Sequence, residues 1–140
     1  MILTDTGPFV AVMDRGDRHH ARCTEALRAL TPPFVTTLAV VTEAMHILGR
    51  RQGWRAQRAL ADLVRSGKVE VAALEPVALI RALELMERYS DTPMDFADAS
   101  LVALAEQRGL QQIFTLDSGF RVYRLRGRSV FDIVPSPGQP

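Results

Sequence analysis

The chain has 140 residues, 47% of them hydrophobic and 24% charged, a composition that suits one folded domain and excludes a disordered chain. A net charge of +1 does not by itself point to nucleic acid. No apolar run reaches the roughly 18 residues of a membrane span, and the opening MILTDTGPF lacks a basic n-region, so the expectation is a cytoplasmic protein with no membrane contact.

Two further counts bear on chemistry. Cys23 is the only cysteine, which rules out an internal disulfide or a cysteine-rich zinc site and leaves it as a small buried hydrophobe. Of the seventeen basic residues, Lys68 alone is lysine. Arginine forks suit phosphate, although genome base composition produces the same skew.

In chain order, MILTD reads as a strand ending at Asp5, and Pro8 opens a helix that stops near Gly16. Asp17 then caps a second helix, DRHHARCTEALRAL, and PPFVTT is a second strand. LAVVTEAMHILGRR is a helix stopped at Gly49 or Gly53, WRAQRALADLVRSG a helix with Gly67 as its C-cap, and KVEVAAL a strand. VALIRALELMERYS and the segment from Thr92 to Gly109 are helices, the latter capped by Asp95. QQIFTLD and VFDIVP are the last strands, before a loose tail at 135–140. Strands alternating with helices imply a mainly parallel sheet covered on both faces, a three-layer α/β/α sandwich, as one domain over 1–134.

In a parallel sheet all strand C-termini share one edge, and ligands bind outside it. Asp5 and Asp117 both end strands and so reach that edge. Asp98 heads the apolar stripe of Leu101, Val102 and Ala105, where a carboxylate needs a partner, while Ser100, Glu106 and Gln107 lie away from it on the wet face. The plain reading is a capping box with Asp95, and sequence does not decide which edge this helix starts from. Glu43 lies opposite the stripe of Val41, Ala44, Met45 and Leu48, so periodicity makes it a solvated residue near His46 and Arg50. If the four acids do converge, each pair about 5 Å apart repels by roughly 3 kcal/mol at an effective dielectric near 20. A hard divalent cation relieves that repulsion, and an oxygen-only donor set points to Mg²⁺ or Mn²⁺ and thence to phosphodiester hydrolysis.

Four blocks, ILTDTGPFVAVMDRGDRHH, PFVTTLAVVTEAMHILGRR, MDFADASLVALAEQRG and IFTLDSGF, together resemble the PIN-domain nucleases, in particular the VapC-type toxins of toxin–antitoxin systems. The resemblance implies a PIN-like fold with Asp5, Glu43, Asp98 and Asp117 as catalytic and metal-binding acids, and Thr6 and Thr115 as supporting hydroxyls. It also implies a Mg²⁺-dependent endoribonuclease, an RNA substrate, a silencing antitoxin and a homodimer. Asp95 matches no family acid and remains a cap. His19 and His20 match a common helical position and read as packing or surface residues. Arg50, Arg51, Arg55 and Arg58, with Arg121, Arg124, Arg126 and Arg128, either steer an RNA backbone or form solvated faces.

Other acid-edged folds fit less well. A haloacid-dehalogenase-like phosphatase needs an acid two residues after Asp5, where Gly7 stands, and a receiver domain needs a lysine after its late strand. No glycine-rich phosphate loop is present. The alternative function is a PIN-fold binding or regulatory protein whose nuclease activity is weak or lost.

Overall fold

The computed structural model describes residues 1–136. In chain order the elements are β1 (Ile2–Thr4), α1 (Thr6–Met13), α2 (His20–Ala29), β2 (Phe34–Thr37), α3 (Leu38–Gln52), α4 (Trp54–Arg65), β3 (Val69–Ala72), α5 (Pro76–Arg88), α6 (Phe96–Arg108), β4 (Gln112–Phe114) and β5 (Asp132–Val134). The sheet order is β3-β2-β1-β4-β5 and every pairing is parallel. Leu3 of β1 lies level with Val35 on one side and Ile113 on the other, which places β1 in the middle.

The strands are apolar on both faces because both faces are covered. Side chains alternate along a strand, so neighbours serve different layers. Leu3, Val35 and Ile113 join the larger cluster with Leu48, Leu60, Leu101 and Leu104, while Ile2 and Phe114 join Cys23 of α2 and Ala11 in the smaller one. This is the expected three-layer α/β/α sandwich. Cys23 is fully buried, and burial pushes its thiol up to about 11, so it stays a neutral apolar filler.

Three local expectations are corrected. The first helix starts at Thr6 and not at Pro8, because Asp5 leaves the strand early and accepts the Thr6 N–H at 2.7 Å as its N-cap. The second helix starts at His20, and Asp17 is absorbed in the preceding turn, where Oδ1 accepts the His19 N–H at 2.8 Å. Ser100, which lies off the apolar stripe of Leu101, Val102 and Ala105 and is expected on the wet face, is fully buried, since α6 packs against α5, α3 and β2 and is covered all round from Ala97 to Ala105. Its hydroxyl donates to Ala97 O at 2.7 Å and pairs with Thr37 Oγ1 at 2.7 Å, which satisfies it in the core. A short 3₁₀ turn, Ser118–Arg121, was not anticipated.

Of the tail expected from Pro135, residues 137–140 lie outside the described residues. Among the described residues no helix is long and apolar enough to cross a membrane.

Candidate active site

The order of strands reverses beside β1: the chain moves from β1 outward to β2 and β3, and β4 enters on the opposite flank. A crevice opens at such a reversal, at the C-terminal edge. Asp5, just past β1, occupies it and is only 6% exposed. Its Oδ1 accepts the Thr6 N–H and its Oδ2 accepts the Thr115 hydroxyl, each at 2.7 Å. Thr115 Oγ1 in turn accepts the Asp117 N–H at 3.0 Å, and Asp117 Oδ1 accepts the Gly119 N–H at 2.8 Å. The loop after β4 is thereby tied to the end of β1.

Asp98 is both a cap and a cavity residue. Its N–H donates to Asp95 Oδ1 at 2.8 Å and its Oδ2 accepts the Asp95 N–H at 3.3 Å, so the capping box exists. The same geometry turns α6 so that its N-terminal turn faces Asp5. Asp5, Glu43, Asp95, Asp98 and Asp117 all line one cavity of about 310 Å³, together with Thr6, His19 and Arg51. Glu43 is half-buried on its wall rather than solvated. Periodicity pointed it away from the helix's own apolar stripe, and the crevice lies on that other side.

These carboxyls are electrostatically uncomfortable. Asp5 is pushed up to about 6, first by burial and then by the charges of Asp117 and Glu43, while the bonds from Thr115 and Thr6 hold it down. Asp98 is pushed up to about 8 by burial and by the charges of Asp5, Asp95 and Asp117. Glu43 is raised by burial, Asp95 and Asp117. The Thr6 hydroxyl restrains that rise, yet Thr6 Oγ1 is buried without a well-formed hydrogen bond among the described residues. Such crowding of acids with little cationic relief is what an oxygen-loving cation would correct.

The arrangement fits a hard divalent ion by donor chemistry. It is not a closed cage, because no three acidic, histidine or cysteine side chains among the described residues are drawn together tightly enough to hold an ion unaided. Mg²⁺ commonly binds through one or two carboxylates and keeps several waters, so an open acidic cup is a compatible host.

The arginines divide. Arg51 reaches the cavity but is paired with Asp17 at 3.0 Å and faces Asp14 at 3.8 Å. Arg50, next along α3, is exposed. Arg126 lies by the far end of α6, where its N–H donates to Glu106 Oε1 at 2.7 Å and its guanidinium to Glu106 O at 3.2 Å. Eight helical residues, about 12 Å, separate Glu106 from Asp98, so Arg126 does not adjoin the acids. Arg124 folds onto the carbonyls of Arg121, Val122 and Tyr123. His20 Nδ1 lies 2.7 Å from Ala11 O in a packing contact, whereas His19 caps α2 at the cavity's edge.

Two site residues escaped the sequence reading in this role. Asp95 was visible only as a cap, and its charge acts on both Glu43 and Asp98. Tyr123 is fully buried; its hydroxyl donates to Pro93 O at 3.1 Å and stands 3.5 Å from Asp98 Oδ2. Within RVYRLRGR it read as part of a basic run, with nothing local to reveal a partner 25 residues earlier.

A larger groove of about 850 Å³ adjoins the cavity and shares Glu43 and Asp95 with it. Leu38, Ala39, Leu74, Phe96 and Ala97 make it largely apolar, and Leu38 and Phe96 are 68% and 38% exposed.

The PIN-domain family profile matches residues 2–125. The ribonuclease VapC26 of Mycobacterium tuberculosis is 27% identical over 135 residues, covering 96% of this chain and 100% of that protein. The 23S rRNA-specific endonuclease VapC20 of the same organism is 28% identical over 120 residues, with 86% and 92% covered. The crystal structure of M. tuberculosis VapC20, described as a sarcin–ricin loop cleaving toxin, superposes with a TM-score of 0.78 at 26% identity, covering 84% of this chain and 90% of that one. A toxin–antitoxin complex from Klebsiella pneumoniae shares the fold at a TM-score of 0.63 and 18% identity, with 84% and 88% covered. With the acids at the edge where such a sheet binds its ligands and the profile spanning residues 2–125 of 140, the protein belongs to the PIN-domain family.

Proposed function

We propose that this protein is a Mg²⁺- or Mn²⁺-dependent endoribonuclease of the VapC type, the toxin of a type II toxin–antitoxin pair acting in the cytoplasm. The observation that carries the reading is the shared acidic cavity, in which burial and neighbouring carboxylates raise the pKa of both Asp5 and Asp98. Asp5, Glu43, Asp98 and Asp117 are the residues that would hold the ion. A bound divalent ion supplies an acidified water and steadies charge on a phosphate during in-line displacement. Thr115 fixes the Asp5 carboxyl by its 2.7 Å bond, and the backbone N–H of Thr6 fixes the other oxygen. The Asp95 cap holds Asp98 at the cavity wall.

Two surfaces support the partner assignments. The apolar groove ends at Glu43 and Asp95, so an antitoxin segment seated there would block the acids. Val77, Ile80 and Leu83 are 80%, 55% and 51% exposed on one face of α5, which suits pairing with a second copy.

The test is cleavage of single-stranded and hairpin RNA by purified, antitoxin-free protein. Cleavage with Mg²⁺ or Mn²⁺, its loss in chelator, and its loss in Asp5→Asn and Asp98→Asn variants that still fold are expected. Undiminished cleavage by both variants would refute the assignment. RNA binding without cleavage by the wild type would favour the binding-protein reading.

A further inference from the structure

Asp117 and Leu116 form a wall with a cavity on each side. One is the acidic cavity; the other, of about 60 Å³, is lined by Arg22, Thr115, Ser118, Arg121 and Ile133. Arg22 rises from α2 and Arg121 ends the 3₁₀ turn after β4, so two distant segments bring guanidinium groups to one small hollow. Among the described residues neither is in an ion pair.

Arg22 is only partly satisfied. One terminal nitrogen donates to Ser136 O at 3.2 Å, while its Nε is buried and has no hydrogen-bond partner among the described residues. Buried donors are seldom left so, and an orphan of this kind calls for an acceptor. The hollow's size narrows the choice. A hollow of about 60 Å³ takes a few waters and has room for a small tetrahedral oxyanion.

The neighbouring chemistry says which oxyanion. Six carboxylates line the acidic cavity, of which only Asp17 is paired with Arg51, and these repel an approaching polyanion. Attraction has to come from cations close by, but Arg51 is neutralised by Asp17 and Asp14, and Arg126 is engaged with Glu106. We propose that Arg22 and Arg121 form a phosphate-binding subsite that grips the RNA backbone at a phosphate flanking the one presented to Asp5 and Asp98. The proposal rests on the ribonuclease reading and adds to it the direction in which the strand leaves the site, across Asp117 toward α2.

The experiment measures binding of a labelled single-stranded RNA to the full chain in chelator, over a range of salt, and separately steady-state cleavage with Mg²⁺. Arg121→Ala decides the matter, because that side chain is exposed and its loss leaves the core untouched; Arg22→Lys keeps the charge but removes the Nε donor. Each contacted phosphate on a single strand contributes about 0.7 to the slope of log K against log salt. Arg121→Ala is expected to flatten the slope by up to about 0.7 and to raise KM with kcat little changed, and Arg22→Lys to raise KM with the slope preserved. An Arg121→Ala variant that keeps the wild-type slope and KM overturns the subsite while the wild type's cleavage leaves the ribonuclease reading standing. A wild type that neither binds nor cuts RNA overturns both.

Discussion

Thr115 Oγ1 donates to Asp5 Oδ2 at 2.7 Å across 110 residues of sequence, and it can do so because the same oxygen accepts the Asp117 N–H. The proton of this hydroxyl is therefore aimed at the carboxylate. A bond to the charged form lowers an acid's pKa. Replacing Thr115 with Val keeps the shape, removes the donor, and should lift Asp5 above its present value near 6. The acid limb of the pH–rate profile should move to higher pH, with activity recovered in part on the alkaline side. An unchanged profile would mean that Thr115 has no hold on Asp5.

Neutralising an acid should separate stability from activity. Asp98→Asn removes a charge repelled by Asp5, Asp95 and Asp117 while an amide can still accept from the Asp95 N–H. The metal-free variant is expected to melt at a higher temperature than the metal-free wild type, by thermal denaturation in chelator, while cleavage is lost. A lower melting temperature would show that the repulsion is outweighed by bonds the carboxylate makes.

The raised pKa values also set a pH dependence of stability. Asp5 near 6 and Asp98 near 8 bind protons more tightly folded than unfolded, where the ordinary value is 3.8. Their stabilising effect is complete below that ordinary value and is lost as pH rises through the folded values. The Asp5 shift alone corresponds to about 3 kcal/mol. Asp17, Glu70 and Glu106 act in the opposite sense, since their lowered pKa values favour the fold above the ordinary carboxyl range. Metal-free protein should thus be most stable at about pH 5 and weaken toward pH 8. Saturating Mg²⁺ should flatten that decline, adding about 2.7 kcal/mol at a hundred times its Kd. A melting temperature that rises from pH 5 to 8 in chelator would contradict the assignment.

Gly119 and Tyr123 are coupled by contact. A Cβ on Gly119 would stand 2.8 Å from the Tyr123 hydroxyl and 3.0 Å from its ring carbon, and the buried ring, edge-on to Tyr89 and Phe120, has no room to retreat. Tyr123→Phe loses one bond and should cost about 1 kcal/mol. Gly119→Ala should cost about 1–3 kcal/mol through overpacking. The double variant should be more stable than their sum, because removing the hydroxyl relieves the clash. Additivity in denaturant unfolding would show that the alanine is absorbed elsewhere.

The parallel α/β layout was legible because strands and helices alternate with clear glycine punctuation, Gly109 taking the left-handed φ of 66° that its place after α6 requires. The site was legible only in part. Asp5 and Asp117 followed from the rule that parallel strands end together, whereas Glu43 did not, because periodicity reports a helix's own apolar stripe and not a polar crevice facing its other side. Ser100 misled for a related reason: α6 is enclosed on every side, so its hydroxyl is buried with a partner from β2. Tyr123 and the Arg22–Arg121 pair depend on contacts between segments far apart in the chain, which no local pattern encodes.

The central position of β1 makes the acidic cavity depend on contacts far apart in the chain. The hydroxyl clamp on Asp5 comes from Thr115, 110 residues on, and forms only with β4 docked beside β1. The capped start of α1 needs no such help, because Asp5 accepts the Thr6 N–H within its own turn. Loosening the β1–β4 pairing would therefore open the acidic cavity on its Asp117 side while leaving that helix intact, so the cup depends on sheet closure and not on any single segment.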